Sequence, residues 1–523
     1  MKTLLITGLL AEDTVEQYAQ HSSVETEVLV LPIQVAALLK MPNIAKELQK
    51  RGISGVDIIL VPGLIRGDAS VIADATGIST FKGPRYAADL PTVLDALGKV
   101  ELSTVTPACD LLREELQRKA LQELELVEQN WETLLQNPGN MAIKDLAFGK
   151  DFPMRVMAEI VDAPLMSSEE IQRLAKRYVE RGAAVIDVGM IAGESRPDDA
   201  RRAVEAVKGA VNVPVSIDTL DPVEARVAVS AGADLILSVD AGNVEEMASF
   251  ASDVAVVAIP TNQREGFFPK EVNERVAFLE EIIGKARKLG ITRILADLIV
   301  EPSNLLRSFI AFREFKERNP EVPLFLGASN FTELIDADSV GVNATLACLS
   351  SEVGANILLA TEKSPKAKGT VREMVTASKM MFLAKKRNSV PKDLGLNLLV
   401  LKDKRLRGEP YNSETETETP VISATDNLEP EVIDEKGLFK IAVDHTNGTI
   451  VAIHIPDSQQ NKPSVIIKGE TAENIFSKIE EMNLITRFDH AAYLGRELAK
   501  AEIALVTGKE YIQDSQLFTS FKL

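Results

Sequence analysis

Cysteine is nearly missing from this chain, with two residues, Cys109 and Cys348, among 523. Such a pair builds neither a disulfide framework nor a thiolate metal pattern. Histidine is almost as scarce. His21, His445, His454 and His490 are scattered, which argues against a histidine-rich metal site. Basic excess is missing too. Lysine and arginine number 58 against 77 acids, and the net charge of −19 argues against a nucleic-acid or anionic-membrane surface. No apolar run approaches the length of a bilayer span. The opening MKTLLITGLLAEDT turns acidic too soon for a secretory signal and reads better as a first strand. What remains is ordinary for a soluble protein: 45% apolar and 26% charged residues. The length implies roughly two to four domains. A cytoplasmic location is expected.

Residues 1–100 alternate strand and helix. KTLLITG, ETEVLVLPI and GVDIILVPGLI are β-branched runs closed by Gly or Pro, with AEDTVEQYAQH and VAALLKMPNIAKELQKRG helical between them. That pattern predicts a Rossmann-like α/β domain. LITGLLAED lacks the glycine fingerprint of a nucleotide-binding turn, and KGPRYAADLP reads as a strand-end loop. Residues 101–148, with REELQRKALQELELVEQNWETLL, read as a helical connector.

From 149 to 390 strand candidates recur with amphipathic helices between them. They are RVMAEIV, AAVIDVG, VPVSIDT, DLILSVDAG, VAVVAIP, RILADLIV, PLFLGAS and ANILLATE. Eight β-α units in one run predict a closed (β/α)8 TIM barrel. An open doubly wound sheet is the structural alternative. Residues 391–435 read as an extension, in which LGLNLLV is a candidate strand, and an acidic flexible linker, SETETETPVISATDNLEPEVIDE. Residues 436–523 read as a small α+β domain, opened by a hairpin with an Asn-Gly turn in GLFKIAVDHTNGTIVAIHIP.

In such a barrel the chemistry lies at the C-terminal ends of the strands. Those ends carry Glu159 and Asp162, Asp187, Asp218, Asp240 and Asn243, Thr261 and Asn262, Asp297, Ser329 and Asn330, and Thr361 and Glu362. Any one acid there serves equally well as a cap or a loop anchor. Several on successive strands are harder to dismiss, because desolvated carboxylates are costly unless used.

IDVG, then GESRP, then VPVSIDT resembles the pterin-binding barrel of the dihydropteroate synthases. Their strand-two loop reads Asp-x-Gly-Gly-Glu-Ser-Thr-Arg-Pro, and their strand three ends Ser-Ile-Asp-Thr. Met190, Ile191 and Ala192 interrupt that loop here, and its threonine is missing. Asp297 in ILADLIVEP matches the aspartate that grips the pterin's amino-pyrimidine edge, without the glycine-rich loop that follows it. GASNF places Asn330 and Phe331 where the family has cations. Gly-x-Ser-Asn is instead similar to the pterin-dependent methyltransferases. The whole chain resembles the dihydropteroate synthase-related proteins of tetrahydromethanopterin-using archaea and bacteria. Its last module, with IKGETAENI and DHAAYLGRELAKAEIAL, is faintly similar to the corrinoid-carrying component of the tetrahydromethanopterin S-methyltransferase.

The resemblance implies a transferase that joins a hydroxymethylpterin diphosphate to an arylamine in tetrahydromethanopterin biosynthesis. The arylamine it suggests bears a ribose phosphate. Asp187, Asp218, Asp297 and Asn330 would contact the pterin. Ser195, Arg196, Lys366, Lys368 and Arg372 would serve the phosphates, with Arg196, Asp218 and Lys363 catalytic. Magnesium would sit on Glu159 and Asp187, since it favours a few carboxylates plus substrate oxygens. The rival reading is a methyl-carrier protein linked to a corrinoid. His490 is a conceivable cobalt ligand there, against the commoner reading as a buried or capping histidine. A third reading is a non-catalytic pterin-binding protein. The partners expected are small-molecule pterin and arylamine and, as an option, a second copy of the chain, with neither nucleic acid nor membrane.

Overall fold

A computed structural model describes residues 1–404, 421–422, 433–456 and 462–518. The chain forms two compact units, Met1–Gln129 with Leu383–Ile422, and Asn130–Phe382 with Ser423–Leu523.

In the first unit β1 (Lys2–Gly8), β2 (Glu25–Leu31), β3 (Ile58–Val61) and β4 (Ser79–Lys82) form a parallel sheet in the order β2-β1-β3-β4. Its two central strands, β1 and β3, are largely apolar because both faces are covered. Leu4, Ile6, Ile59 and Val61 pack with Ile44, Leu48 and Ile72 on one side. Leu5 and Leu60 pack with Val15, Val93 and Leu94 on the other. The fourth strand, STFK, lies just before the expected loop KGPRYAADLP. A 22-residue helix, Ala108–Gln129, follows. Arg387 is tied to this helix by a 2.7 Å ion pair to Glu123. LGLNLLV, a candidate strand, forms none. Most of the acidic linker lies outside the described residues.

The second unit begins inside the expected helical connector, at Asn130. Residues 101–148 are not wholly helical: β5 (Asn140–Ile143) and β6 (Leu146–Gly149) form a hairpin turned by Lys144 and Asp145. Lys-Asp carries none of the usual hairpin-turn signal, so the pattern was silent there. Ile143 and Phe148 pack into the barrel interior among Met157, Val185 and Leu235. Arg155, the first residue of the next strand, donates to the Ala147 carbonyl at 2.8 Å, so the hairpin plugs the N-terminal end.

The eight expected strands are β7 (Arg155–Ile160), β8 (Val185–Gly189), β9 (Val215–Asp218), β10 (Leu235–Val239), β11 (Ala255–Ala258), β12 (Ile294–Ala296), β13 (Leu324–Leu326) and β14 (Ala355–Thr361). They close into one parallel barrel in sequence order. The helices have local reasons to start where they do. Ser167 and Glu170 form a reciprocal capping box at the first of them, an arrangement worth about 1 kcal/mol. Asp221 caps helix Pro222–Ser230 by accepting from the Val223 amide at 2.8 Å.

The C-terminal part of this unit is the expected α+β module. β15 (Leu438–Asp444), β16 (Thr449–Ile455) and β17 (Val465–Gly469) form an antiparallel sheet. Helices Ala472–Glu481 and Phe488–Thr507 pack on it through Ile475, Ile479, Leu494 and Leu498. The hairpin is present, but its turn spans four residues, His445–Gly448, rather than Asn-Gly alone. His490 is 12% exposed, bonds Asp434 through Nδ1 at 3.1 Å and lies beside Phe439 and Tyr493. These contacts support the structural histidine over the cobalt ligand. Among the described residues no helix is long and apolar enough to cross a membrane.

Candidate active site

Alternate residues of a barrel strand point inward. The interior stack contains Met157, Val185, Leu235, Leu237, Val257, Leu295, Phe325 and Leu359. Two residues beyond Met157, Val185 and Leu295 stand Glu159, Asp187 and Asp297. Asp218 follows Ser216, which is the register partner of Asp187, so it shares that face. The same periodicity that packs the core thus delivers four carboxylates to the C-terminal mouth.

Glu159 and Asp187 are register partners on β7 and β8. Carboxylate oxygens of Glu159, Asp187 and Asp218 lie within 4.8 Å of one another. Asp187 is fully buried. Its Oδ1 accepts from Ser216 Oγ at 2.5 Å, and its Oδ2 has no hydrogen-bond partner among the described residues. Gly189 makes room for the cluster, because a Cβ there would lie 2.6 Å from Glu159 Oε1. Like charges this close, out of water, favour shared protons over full ionisation. Burial, then Asp218 and Asp162, push Glu159 up to about 8. Burial, then Asp218 and Glu159, hold Asp187 well above the carboxylate range. Burial alone raises Asp218 to about 6.

Asp297 is 7% exposed and accepts from the Ile299 amide at 2.8 Å. Burial pushes it up to about 7 against that bond. Its loop is held from behind by a feature the sequence pattern did not reveal. Arg275 is fully buried. It pairs with Glu301, donates to the carbonyls of Pro269 at 3.3 Å and Leu298 at 3.4 Å, and lies over the Phe268 ring at 4.4 Å. The clamp holds Ile299 at φ +64°, a costly conformation for a β-branched residue. A signal for Arg275 existed: it falls on the buried stripe of helix Val272–Lys288 with Leu279, Ile282 and Ala286.

The remaining expected residues are placed differently. Asn330 is exposed, and a Cβ on Gly327 at the end of β13 would lie 3.0 Å from its Nδ2. Lys363 pairs with Asp162 at 2.7 Å across the ends of β14 and β7. Arg196 does not stand free: it pairs with Glu194 at 2.6 Å and Asp199 at 3.6 Å. Ser195 donates to the Asp221 carboxylate, and the Arg196 amide donates to Glu224 at 2.6 Å. The ESRP loop is thereby fastened to the loop after β9. Lys366 is committed to the Ile335 carbonyl at 2.6 Å and to Asp336. Lys368 and Arg372 are exposed around the start of helix Thr370–Lys386. Asp240 is a loop anchor, accepting from Gly242, Asn243, Thr261 and Gln263.

Residues 161–358 match the pterin binding enzyme family, residues 433–514 the PterinBD-DUF4346 family, and residues 1–85 a family of unknown function. Among solved structures, the dihydropteroate synthase of Stenotrophomonas maltophilia with active site-bound imidazole is 21% identical. That likeness covers 49% of this chain and 100% of the other, with a TM-score of 0.39. The enzyme of Xanthomonas albilineans in complex with 7,8-dihydropteroate is 22% identical over 48% of this chain and 99% of its own, with a TM-score of 0.37. An uncharacterized protein of Methanocaldococcus jannaschii is 42% identical over 533 aligned residues, spanning 99% of each chain. At that identity and coverage the protein belongs to one family with the M. jannaschii protein, and its central domain is a pterin-binding barrel.

Proposed function

We propose that the barrel is a pterin-utilising transferase that grips its pterin with Asp297 and Asp218. The observation that carries this reading is the pair of inward-facing carboxylates at one mouth, Asp297 buried and Asp218 half-buried. A carboxylate accepts two parallel hydrogen bonds from the 2-amino and ring N–H groups of a pterin, and its charge strengthens them. Burial excludes competing water. Asp187 and Asn330 would line the same pocket.

The finer reading is synthase chemistry in tetrahydromethanopterin biosynthesis. The nitrogen of an arylamine, one bearing a ribose phosphate, attacks the methylene carbon of a hydroxymethylpterin diphosphate. The carbon–oxygen bond breaks, diphosphate leaves with its electron pair, and the amine loses a proton. The amine is already nucleophilic, so positioning supplies much of the rate. Ser195, Arg196, Lys363, Lys366, Lys368 and Arg372 are the residues for the phosphates. Arg196, Lys363 and Lys366 would first exchange their present carboxylate partners for substrate. Magnesium fits the donor set: the residues are hard oxygen ligands, and the unpartnered Asp187 Oδ2 is a lone pair available beside Glu159. The ion would offset charge on the departing diphosphate.

A second reading has an observation of its own. The mouth is lined by acids, and three of the expected cations, Arg196, Lys363 and Lys366, are already paired. That suits an uncharged methylated pterin handing its methyl group to a corrinoid or another acceptor. The test is diphosphate release from hydroxymethylpterin diphosphate and an arylamine, with and without magnesium. Magnesium-dependent release supports the synthase. Tight binding of methylated pterin with no release under any condition transfers the proposal to the methyl carrier.

A further inference from the structure

The N-terminal sheet carries a residue that the barrel chemistry does not use. Lys82 ends β4 and is only 7% exposed. It stands opposite Val61 in the parallel register, on the face whose apolar cluster includes Val61, Ile65 and Ala69. An apolar side chain would fit that face better, and a cation there breaks the pattern that builds the domain. Among the described residues no carboxylate forms an ion pair with its ammonium. Asp68 contributes attraction but is engaged by the Ser70 amide at 2.9 Å and by Thr104. Burial lowers the Lys82 pKa first, and repulsion from Arg85 lowers it further. Two cations therefore converge at one strand end, although Arg85 itself is held by Asp110 at 2.6 Å. Converging like charges are unfavourable in the empty state and favourable around an anion.

The surroundings suit such a group. Open α/β sheets bind ligands beyond the carboxyl ends of their strands. The loop leaving β3 there, PGLIRGD, adds the exposed Arg66. The amides of Leu64, Arg66 and Gly67 donate to no described group. Gly63 lies so close to the loop after β4 that a Cβ would meet the Gly83 carbonyl oxygen at 2.6 Å. Backbone donors and a buried cation beside a tight turn suit a compact oxyanion.

We propose that the N-terminal domain binds a phosphate-bearing small molecule at the ends of β3 and β4, with Lys82 as the central charge and Arg66 closing over it. This site is independent of the pterin reading of the barrel.

The test uses the full chain, with inorganic phosphate, glycerol 3-phosphate and acetate titrated by calorimetry. Phosphate or its ester should bind, and Lys82→Met should weaken that binding about tenfold to a hundredfold, the range of a charge-assisted bond. Lys82→Arg should largely retain binding, and Asp297→Asn in the barrel should leave it unchanged. Tighter binding of the ester than of inorganic phosphate would mark an esterified ligand, and the reverse order free phosphate. Without ligand, Lys82→Met should melt at or above the wild-type temperature, which shows that it folds. Equal phosphate affinity in Lys82→Met and wild type would overturn the proposal. So would binding of acetate alone, or of none of the three.

Discussion

Glu159 and Asp187 face one another on adjacent parallel strands, and with Asp218 they bring three carboxylates within 4.8 Å. Both residues are pushed upward by burial and by their neighbours, Glu159 to about 8. A raised carboxyl pKa means that the folded chain holds a proton the unfolded chain has released. Stability is then undiminished below the unfolded pKa, near 4.5, and falls as pH climbs toward the folded value. Glu159→Gln removes that penalty. The variant should melt with wild type near pH 4.5 and above it by about 2–6 °C at pH 8.5. Scanning calorimetry between those limits checks it. A gap that is constant or reversed with pH would show that the cluster does not store protons.

Arg275 is expected to govern Asp297 without touching a ligand. Its positive charge opposes the rise in the Asp297 pKa, and its fork fixes the Leu298–Glu301 turn. Arg275→Gln should weaken pterin binding about tenfold and move the pH midpoint of binding upward. Arg275→Lys keeps the charge and should move the midpoint less. A lower melting temperature with an unmoved midpoint in both variants would reduce Arg275 to a packing role.

Arg196 offers a sharper discrimination. Its ion pairs with Glu194 and Asp199 are partly exposed, and such pairs are typically worth about 0–1 kcal/mol. They can be exchanged for substrate at little cost. If charge develops on diphosphate in the transition state, Arg196→Ala should lower kcat by about 10²–10³ while binding of the bare pterin stays constant. Equal rates of diphosphate release in variant and wild type would leave Arg196 as a surface residue.

Much of the barrel was legible in the sequence. Its strands are buried on both sides, so VAVVAIP and PLFLGAS stand out as unbroken apolar runs closed by Thr261 and Ser329. The acids were legible for the same reason: Asp187 and Asp218 interrupt such runs near the C-terminal ends of their strands. The hairpin Asn140–Gly149 was hidden by a turn without glycine or asparagine. Arg275 was hidden because a helix pattern tolerates one long cation on its apolar face, and only tertiary structure shows that the guanidinium never reaches water. Ile299 was hidden because nothing in its side chain announces a left-handed backbone. The pairing of Arg196 with Glu194 depends on loop conformation, which periodicity does not encode.

The central claim is that Asp297 and Asp218 grip a pterin. Burial lifts these carboxyls to about 7 and about 6, whereas a pterin's amino and ring N–H donors require carboxylates. Binding should therefore strengthen as pH rises through 6 to 7 and should release protons at the lower end of that range. The most direct measurement is calorimetric titration of the full chain with a dihydropterin at pH 5.5 and 8, in two buffers of different ionisation enthalpy, for wild type, Asp297→Asn and Asp218→Asn. The account predicts tighter binding at pH 8, proton release at pH 5.5, and a loss of about 1.5–3 kcal/mol in each variant. Unchanged affinity in both variants, or binding by wild type that is indifferent to pH, would contradict it.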